Sequence, residues 1–447
     1  MKDGFIARRN RALAVLTLGL AMGDRVHAQS DPQASPPVGV ESAAAPSPAP
    51  AEPTGVQSPD AKAAQAEPVR DPVGDLNAGT IRAGEFPGAI LIPGPGGVSF
   101  GVGGFIKSLA IHDTAAEGRE AVFLPALLGG IGRDDVDGNT TLTAELSRVN
   151  FDARAKLGEG RVRGYVEFDF SGDLFKWRHG YLTWSGGWGE LLAGKSWSTF
   201  MDLQTLPDGL GEPTVSGAIY TRQAQFRYTK ALTKSVKWAL AIEDAASSDV
   251  LAPAPVTTRT GWPDLVSTVT LSGKSAHLQA GGLLRSIEFD PNGAEGDSAT
   301  GWGLHLSGHV NLGRKTRLYG AYVFGEGLGR YMLGITPSAG AFIDTDAGSV
   351  LLRENKGGFA GLRHAWSDRC RSSLAWSYAE AETDERQPDA AFKSSAFVLA
   401  NLLCKANRFL TIGVEYHKGS GRTGWAISTT TASCSGCSSS SRPFLSS

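Results

Sequence analysis

Arginine recurs in this sequence at a spacing that sorts it onto one face of an extended chain. Arg148 and Arg154 alternate with Val149, Phe151, Ala153, Ala155 and Leu157, and share their face with Asn150, Asp152 and Lys156. After Gly158-Glu159-Gly160 the pattern resumes, with Arg161, Arg163, Tyr165, Glu167 and Asp169 set against Val162, Gly164, Val166, Phe168 and Phe170. A guanidinium is a planar fork of donors that fits a carboxylate bidentately. One such contact at ~4 Å is worth about 4 kcal/mol at an effective dielectric of ~20. A ladder of them draws an anion in without trapping it. The competing role for the same residues is structural: Asp152, Glu167 and Asp169 stand beside them and can brace the wall.

Other chemistry is thinly represented. His305 and His309 share a strand face, but four residues along a strand is about 13 Å, too far for one metal ion. Asp134, Asp135, Asp137 and Asn139 resemble a calcium loop, yet Gly138 is misplaced and no bidentate Glu follows at the required offset. Cys370 and Cys404 stand isolated, and Cys434-x-x-Cys437 is alone in a Ser-rich tail. No G-x-S-x-G nucleophile elbow or H-E-x-x-H zinc helix occurs. The expectation is therefore no cofactor, no metal and no catalytic residue.

The elements that must position the arginines are strands of period two. Trp302 to Leu312, Phe409 to His417 and Tyr220 to Thr229 alternate as Arg148 to Leu157 does, although Arg222 interrupts the apolar face of its strand. Several of these runs reach about ten residues, the length a tilted membrane strand needs, whereas soluble strands have roughly five or six. Tight links fall near 158–160, 185–188, 231–235, 273–275, 313–315, 367–369 and 405–407. Long links near 113–139, 199–218, 246–264, 290–299, 326–356 and 383–392, and a shorter one at 171–176, separate them. Short turns at one end and long loops at the other are the signature of outer-membrane barrels. The links delimit about fifteen strands up to Gly419, and an even number is expected. The predicted fold is an all-β transmembrane antiparallel barrel of about 16 strands, its last strand degenerate or missing.

Energy assigns the faces. An arginine facing lipid at mid-membrane costs roughly 2–4 kcal/mol, a large share of a typical net stability. The charged face must line the lumen. At about 16 strands such a lumen is a water-filled channel, because only small barrels are plugged by side chains.

The flanks agree with export. Lys2, Arg8, Arg9 and Arg11 precede an apolar stretch, Ala12 to Met22, and Val26-His27-Ala28 offers a small-x-small cleavage site. Residues 1–28 are read as a secretory signal peptide. Residues 29–80 are rich in Pro, Ala, Ser and Asp and read as a disordered or extended spacer. The barrel is expected over 81–424, with an atypical tail over 425–447. A formal net charge of -2 over 447 residues gives no support for nucleic-acid binding.

Ordered matches run from about Phe86 to Gly419. They include Phe-Pro-Gly-Ala-Ile-Leu-Ile-Pro-Gly at 86–94, Gly-Gly-Phe-Ile-Lys at 103–107, Ser-Arg-Val-Asn-Phe-Asp-Ala-Arg at 147–154 and Tyr-Val-Glu-Phe-Asp-Phe at 165–170. Arg-His-Gly-Tyr-Leu at 178–182, Leu-Leu-Ala-Gly-Lys-Ser-Trp-Ser-Thr-Phe-Met-Asp at 191–202, Arg-Gln-Ala-Gln-Phe-Arg-Tyr-Thr at 222–229, Gly-Gly-Phe-Ala-Gly-Leu-Arg-His-Ala-Trp-Ser-Asp at 357–368 and Gly-Val-Glu-Tyr at 413–416 continue the series. In order and spacing together, the chain resembles the DcaP-like family of outer-membrane porins.

The resemblance implies a homotrimeric porin of ~16 strands in the bacterial outer membrane, passing small anionic solutes such as dicarboxylates, and it implies that the spacer at 29–80 is periplasmic. Two departures stand out. Lys195 occupies a position where the family usually has Gln, adding positive charge near the pore. After Gly424 the chain becomes Ser- and Thr-rich and ends in Ser447, where the family ends in a strand closing on an aromatic residue. That ending fits a frameshifted or truncated last strand.

The expected selectivity set is Arg148, Arg154, Arg161, Arg163, Arg178, Lys195, Arg227 and Arg363. The third external loop of such porins folds inward, so Asp202, Asp208 and Glu212 are expected to face this basic wall and set a transverse field. Trp184, Trp376 and Tyr416 suit interfacial girdles in outer-membrane lipid. Two other functions stay open at this point: a structural or adhesive barrel without transport, and a barrel lipase.

Overall fold

The computed structural model describes residues 82–92, 97–113, 139–171, 175–212, 215–245, 250–251, 257–259, 261–290, 296–336, 339–344, 346–387, 391–423 and 427–440. All of them fall in the compact unit Val69–Ser447. The leader, the spacer and the acidic loop tip at 134–138 lie outside the described residues, and along 427–440 only the backbone is described.

A twenty-stranded sheet organises the described chain. Four members are short pieces, Arg82–Ala83, Ile90–Ile92, Asn139–Thr143 and Thr257–Arg259, which leaves sixteen long strands. These are β1 (Val98–Asp113), β2 (Arg148–Leu157), β3 (Gly160–Asp169), β4 (Lys176–Gly186), β5 (Gly189–Trp197) and β6 (Arg222–Ala231). They continue as β7 (Val236–Glu243), β8 (Asp264–Ser272), β9 (Ala276–Asp290), β10 (Ser298–Leu312) and β11 (Thr316–Glu326). The last five are β12 (Glu354–Ala365), β13 (Cys370–Ala381), β14 (Phe392–Lys405), β15 (Leu410–Thr423) and β16 (Ile427–Ser440).

Each strand is antiparallel to the next. β16 pairs with both β15 and β1, so the ladder returns to its first strand. The all-β antiparallel barrel of about sixteen strands read from the alternation is thus observed. The tail, expected as a degenerate or missing last strand, holds the sixteenth place in the ladder. A ladder needs only backbone N–H and C=O groups, so a Ser- and Thr-rich run can hold a strand position without an amphipathic pattern.

Links alternate as the turn residues indicate. At one end, the turn end, strands join through two to four residues, as at 158–159, 187–188 and 313–315. At the other, the loop end, the links are mostly long, as at 198–221 and 327–353. The outer face is apolar: Leu182, Phe226, Leu304, Leu306, Leu374, Trp376 and Val414 are all exposed there, and Phe226 is 66% accessible. Exposed apolar surface on this scale marks a face made for something other than water.

The inner face is occupied at the level of β8 to β14 by two loops that bring their own core. Phe200, Met201 and Ile219 of the 198–221 loop join Leu328, Tyr331, Met332 and Ile335 of the 327–353 link against Val266, Leu283 and Val323 of the wall. A second cluster sets Val215 and Ala218 against Tyr319, Phe359, Ala375, Phe397 and Leu399. Gly217 (φ +76°) lets the loop lie directly on β12, since a Cβ there would stand 2.2 Å from the Gly358 nitrogen.

Cys370 and Cys404 face each other across β13 and β14 and form a disulfide. This corrects their reading as isolated thiols: 34 residues separate them in sequence, and only the register of the two strands brings them together. Cys434 and Cys437 lie on β16, whose side chains are not described.

Candidate pore lining and constriction loop

The alternation of β2 and β3 puts Arg148, Asp152, Arg154, Arg163, Glu167 and Asp169 on one inner face, where they pair with each other. Arg148 donates to Glu167 Oε1 at 3.0 Å and to Glu212 Oε1 at 2.6 Å. Asp152 is shared by Arg154, at 3.0 and 2.7 Å, and Arg163, at 3.0 and 2.9 Å. Arg178 is bound to Asp169 and donates to Ser171 Oγ at 3.1 Å. A register shift at Glu167/Phe168 inserts an extra residue into β4, and such a bulge re-aims side chains. It lets Arg178 and His179, adjacent in sequence, both reach the inner network. Gly104 (φ +143°) permits the close approach of β1, since a Cβ there would stand 2.1 Å from the Arg148 carbonyl oxygen.

The 198–221 loop makes a circuit of the inner wall and is fastened along its length. Thr199 N–H donates to Glu243 Oε1 on β7 at 2.7 Å. Asp202 takes hydrogen bonds from His277 on β9 at 2.8 Å and Ser307 on β10 at 2.7 Å. Asp208 holds Arg371 on β13, and Asn401 on β14 donates to the Asp208 carbonyl at 2.7 Å. The N–H groups of Leu210 and Gly211 donate to Glu415 on β15 at 2.8 and 3.1 Å. Glu212 meets Arg148 on β2 and accepts from Tyr220. Burial of Glu212 works to raise its pKa, but Arg148 and the Tyr220 hydroxyl outweigh it and hold the carboxyl down at about 2. Burial likewise opposes ionisation of Asp202, and the bonds from His277 and Ser307 reverse the effect.

Comparison of the sequence with protein-family models and with curated proteins finds no match. Solved structures do match. The outer membrane channel DcaP of Acinetobacter baumannii superposes with a TM-score of 0.66 at 18% identity, over 77% of this chain and 97% of that one. OmpF of Salmonella typhi, in complex with daunomycin, gives 0.53 at 9% identity over 78% and 99%. The trimer form of OmpT, an outer membrane protein of Vibrio cholerae, gives 0.50 at 13% over 76% and 99%. The fold is that of the outer-membrane porins.

Within this porin fold the sequence-derived residues fall into groups. Arg148, Arg154, Arg163 and Arg178 are inward and each is bound to a carboxylate. Arg161 is exposed beside the turn at 158–159, opposite Lys156 in register. Arg227 is inward and half-buried, in register with the buried Leu192 and Ala241. Arg363 is inward and half-buried, opposite Arg317 and Ser373. Lys195 is the exception. It stands in register with Gly180 and Ala224, on the face that carries the exposed Leu182 and Phe226. The strand's alternation turns it away from the lumen, which corrects its place in the pore-lining set.

The three acidic loop residues each meet a wall side chain: Asp202 binds His277, Asp208 binds Arg371 and Glu212 binds Arg148. They fasten the loop. Sequence reasoning left out Arg317, Arg371 and Arg222. The period-two run Arg317, Tyr319, Ala321, Val323 after the tight turn at 313–315 carried the signal for the first. Arg222, read as a fault in its strand, stacks on Trp197 with its guanidinium carbon 3.3 Å from the ring centroid. His305 and His309 remain apart, and His309 instead stacks on His277 at 5.3 Å. Among the described residues no group of three or more His, Cys, Asp or Glu could hold a metal ion.

Proposed function

We propose that this chain is a passive diffusion channel of the bacterial outer membrane, with a preference for small anions such as carboxylates and dicarboxylates. The observation that carries the reading is the partition of the barrel wall. Ionised side chains from β2, β3, β4, β6, β11, β12 and β13 turn inward while Leu, Phe, Val and Trp turn outward. A wall of that kind is stable only with lipid outside and water inside. The 198–221 loop, fastened to the inner wall, narrows the passage. In this reading the turn end faces the periplasm and the loop end the exterior. The Cys370–Cys404 disulfide suits an exported chain, because such bonds persist in oxidising compartments.

The resemblance to DcaP-like porins supports dicarboxylates as cargo, and the trimer form of the Vibrio cholerae neighbour supports a homotrimer. Outer-membrane lipid is then the remaining partner, and residues 1–28 are a cleaved signal peptide. A channel needs positioned charge rather than a nucleophile, so no enzymatic role is proposed. Planar-bilayer recording tests the whole. A steady, anion-biased conductance from purified trimers is expected, and a well-folded trimer without conductance would leave the structural or adhesive barrel as the better account.

A further inference from the structure

We infer that the inner wall at the turn end of β11 and β12 holds an oxyanion site built on Arg317 and Arg363; the inference deepens the channel reading above and rests on it for its place in transport. The two arginines stand directly opposite each other in the ladder. Side chains in that relation have Cβ atoms roughly 4.5–5.5 Å apart, and like charges there repel. Each is half-buried on the inner face, below Tyr319 and Phe359, whose rings pack under the 198–221 loop.

What sets this pair apart is the lack of an acid. Arg317 donates through Nε to Asn311 Oδ1 at 2.9 Å, which fixes the plane of its guanidinium and leaves its two terminal nitrogens without a partner among the described residues. Arg363 has no hydrogen bond or ion pair among the described residues. The loop acid Asp208 is bound to Arg371, Asp202 is bound to His277, and Asp368 belongs to the exposed turn at 366–369. Lys315 and Arg314, in the turn that opens β11, are exposed and add positive field at the mouth.

Two guanidinium forks that start from directly opposed positions on one face, with no counter-charge bound to them among the described residues, call for an external one. The ligand class that fits is a small oxyanion with two negative charges, because each fork takes a pair of oxygens and a halide supplies none. A bound dianion relieves the repulsion, and its departure restores it. The site therefore works as a station at the periplasmic mouth, under the loop, rather than as a trap.

The test uses purified full-length protein in detergent, with inorganic phosphate as the probe and the phosphorus-31 line width as the readout. Wild-type protein should broaden the phosphate line at millimolar phosphate, and excess chloride should not abolish the broadening. Arg363→Glu, which gives Arg317 an internal partner and so favours folding, should weaken binding roughly tenfold or more. Arg363→Lys, which keeps the charge, should retain most of it. Equal broadening in wild type and Arg363→Glu, or none in wild type, overturns the site. Planar-bilayer currents on the same samples separate the two readings. A conducting protein that ignores phosphate keeps the channel and loses the site, whereas phosphate binding without conductance keeps the site and loses the channel.

Discussion

Two stretches of the inner wall carry arginine on the inward face of their strands and use it differently. Across β2, β3 and β4, four arginines (Arg148, Arg154, Arg163 and Arg178) meet four carboxylates (Asp152, Glu167, Asp169 and Glu212). Across β11 and β12, Arg317 and Arg363 stand opposite each other and neither is bound to a carboxylate among the described residues. The first stretch is a neutral lattice of charge-assisted hydrogen bonds that stiffens the wall and fastens the loop. The second is an excess of positive charge open to the lumen. An arginine turned into a channel is thus a selectivity element only when its neighbours leave its charge uncompensated.

Substitutions that convert one stretch into the other give the clearest tests. Asp152→Ala should have the largest effect. It leaves Arg154 and Arg163 opposed without their shared acid, and breaking a largely buried pair costs about 3–5 kcal/mol. Urea unfolding in detergent should show that loss, and the surviving channels should be more anion-selective by reversal potential. Arg148→Ala should cost less, roughly 2–3 kcal/mol, the scale of a hydrogen bond to a charged group left unmade. It also leaves Glu167 and Glu212 without their cation, so anion preference should fall. A rise in anion preference would show that the lattice is not neutral.

A milder perturbation is acid. The folded-state pKa of Glu212, about 2, lies below its ordinary value of 4.5. Its contribution to fastening the loop is therefore complete above about pH 4.5 and is lost as the pH falls towards 2. Single-channel conductance should stay level down to about pH 4 and become noisy near pH 2 as the loop loosens. Onset of that noise between pH 5 and 7 would show the carboxyl is not held by Arg148. The smallest effect on stability belongs to Arg363→Ala. It removes a like-charge neighbour, so unfolding should shift by no more than about 0.5 kcal/mol, towards higher stability. Its anion-to-cation permeability ratio should nonetheless drop, the reverse of the pattern at Asp152.

Much of the architecture was legible because a strand has only two faces. Arg148 and Phe151 declare opposite sides by position alone, and the tight links at 158–159 and 313–315 declare one end of the barrel. The inward fold of the 198–221 loop was legible only through family resemblance, since nothing local requires Phe200 to bury or Asp202 to find His277, 75 residues away. The Cys370–Cys404 disulfide escaped for the same reason.

Period-two patterning and turn chemistry determined the sheet, its handed-out faces and its approximate strand number, because both act between residues close in sequence. Tertiary structure alone decided which charges are spent. Register set Arg363 against Arg317 and not against an acid and turned Lys195 outward, and the path of the loop brought Glu212 to Arg148. Those outcomes depend on which strands become neighbours and on where a loop lands, and Coulomb interactions between residues distant in sequence are settled only then.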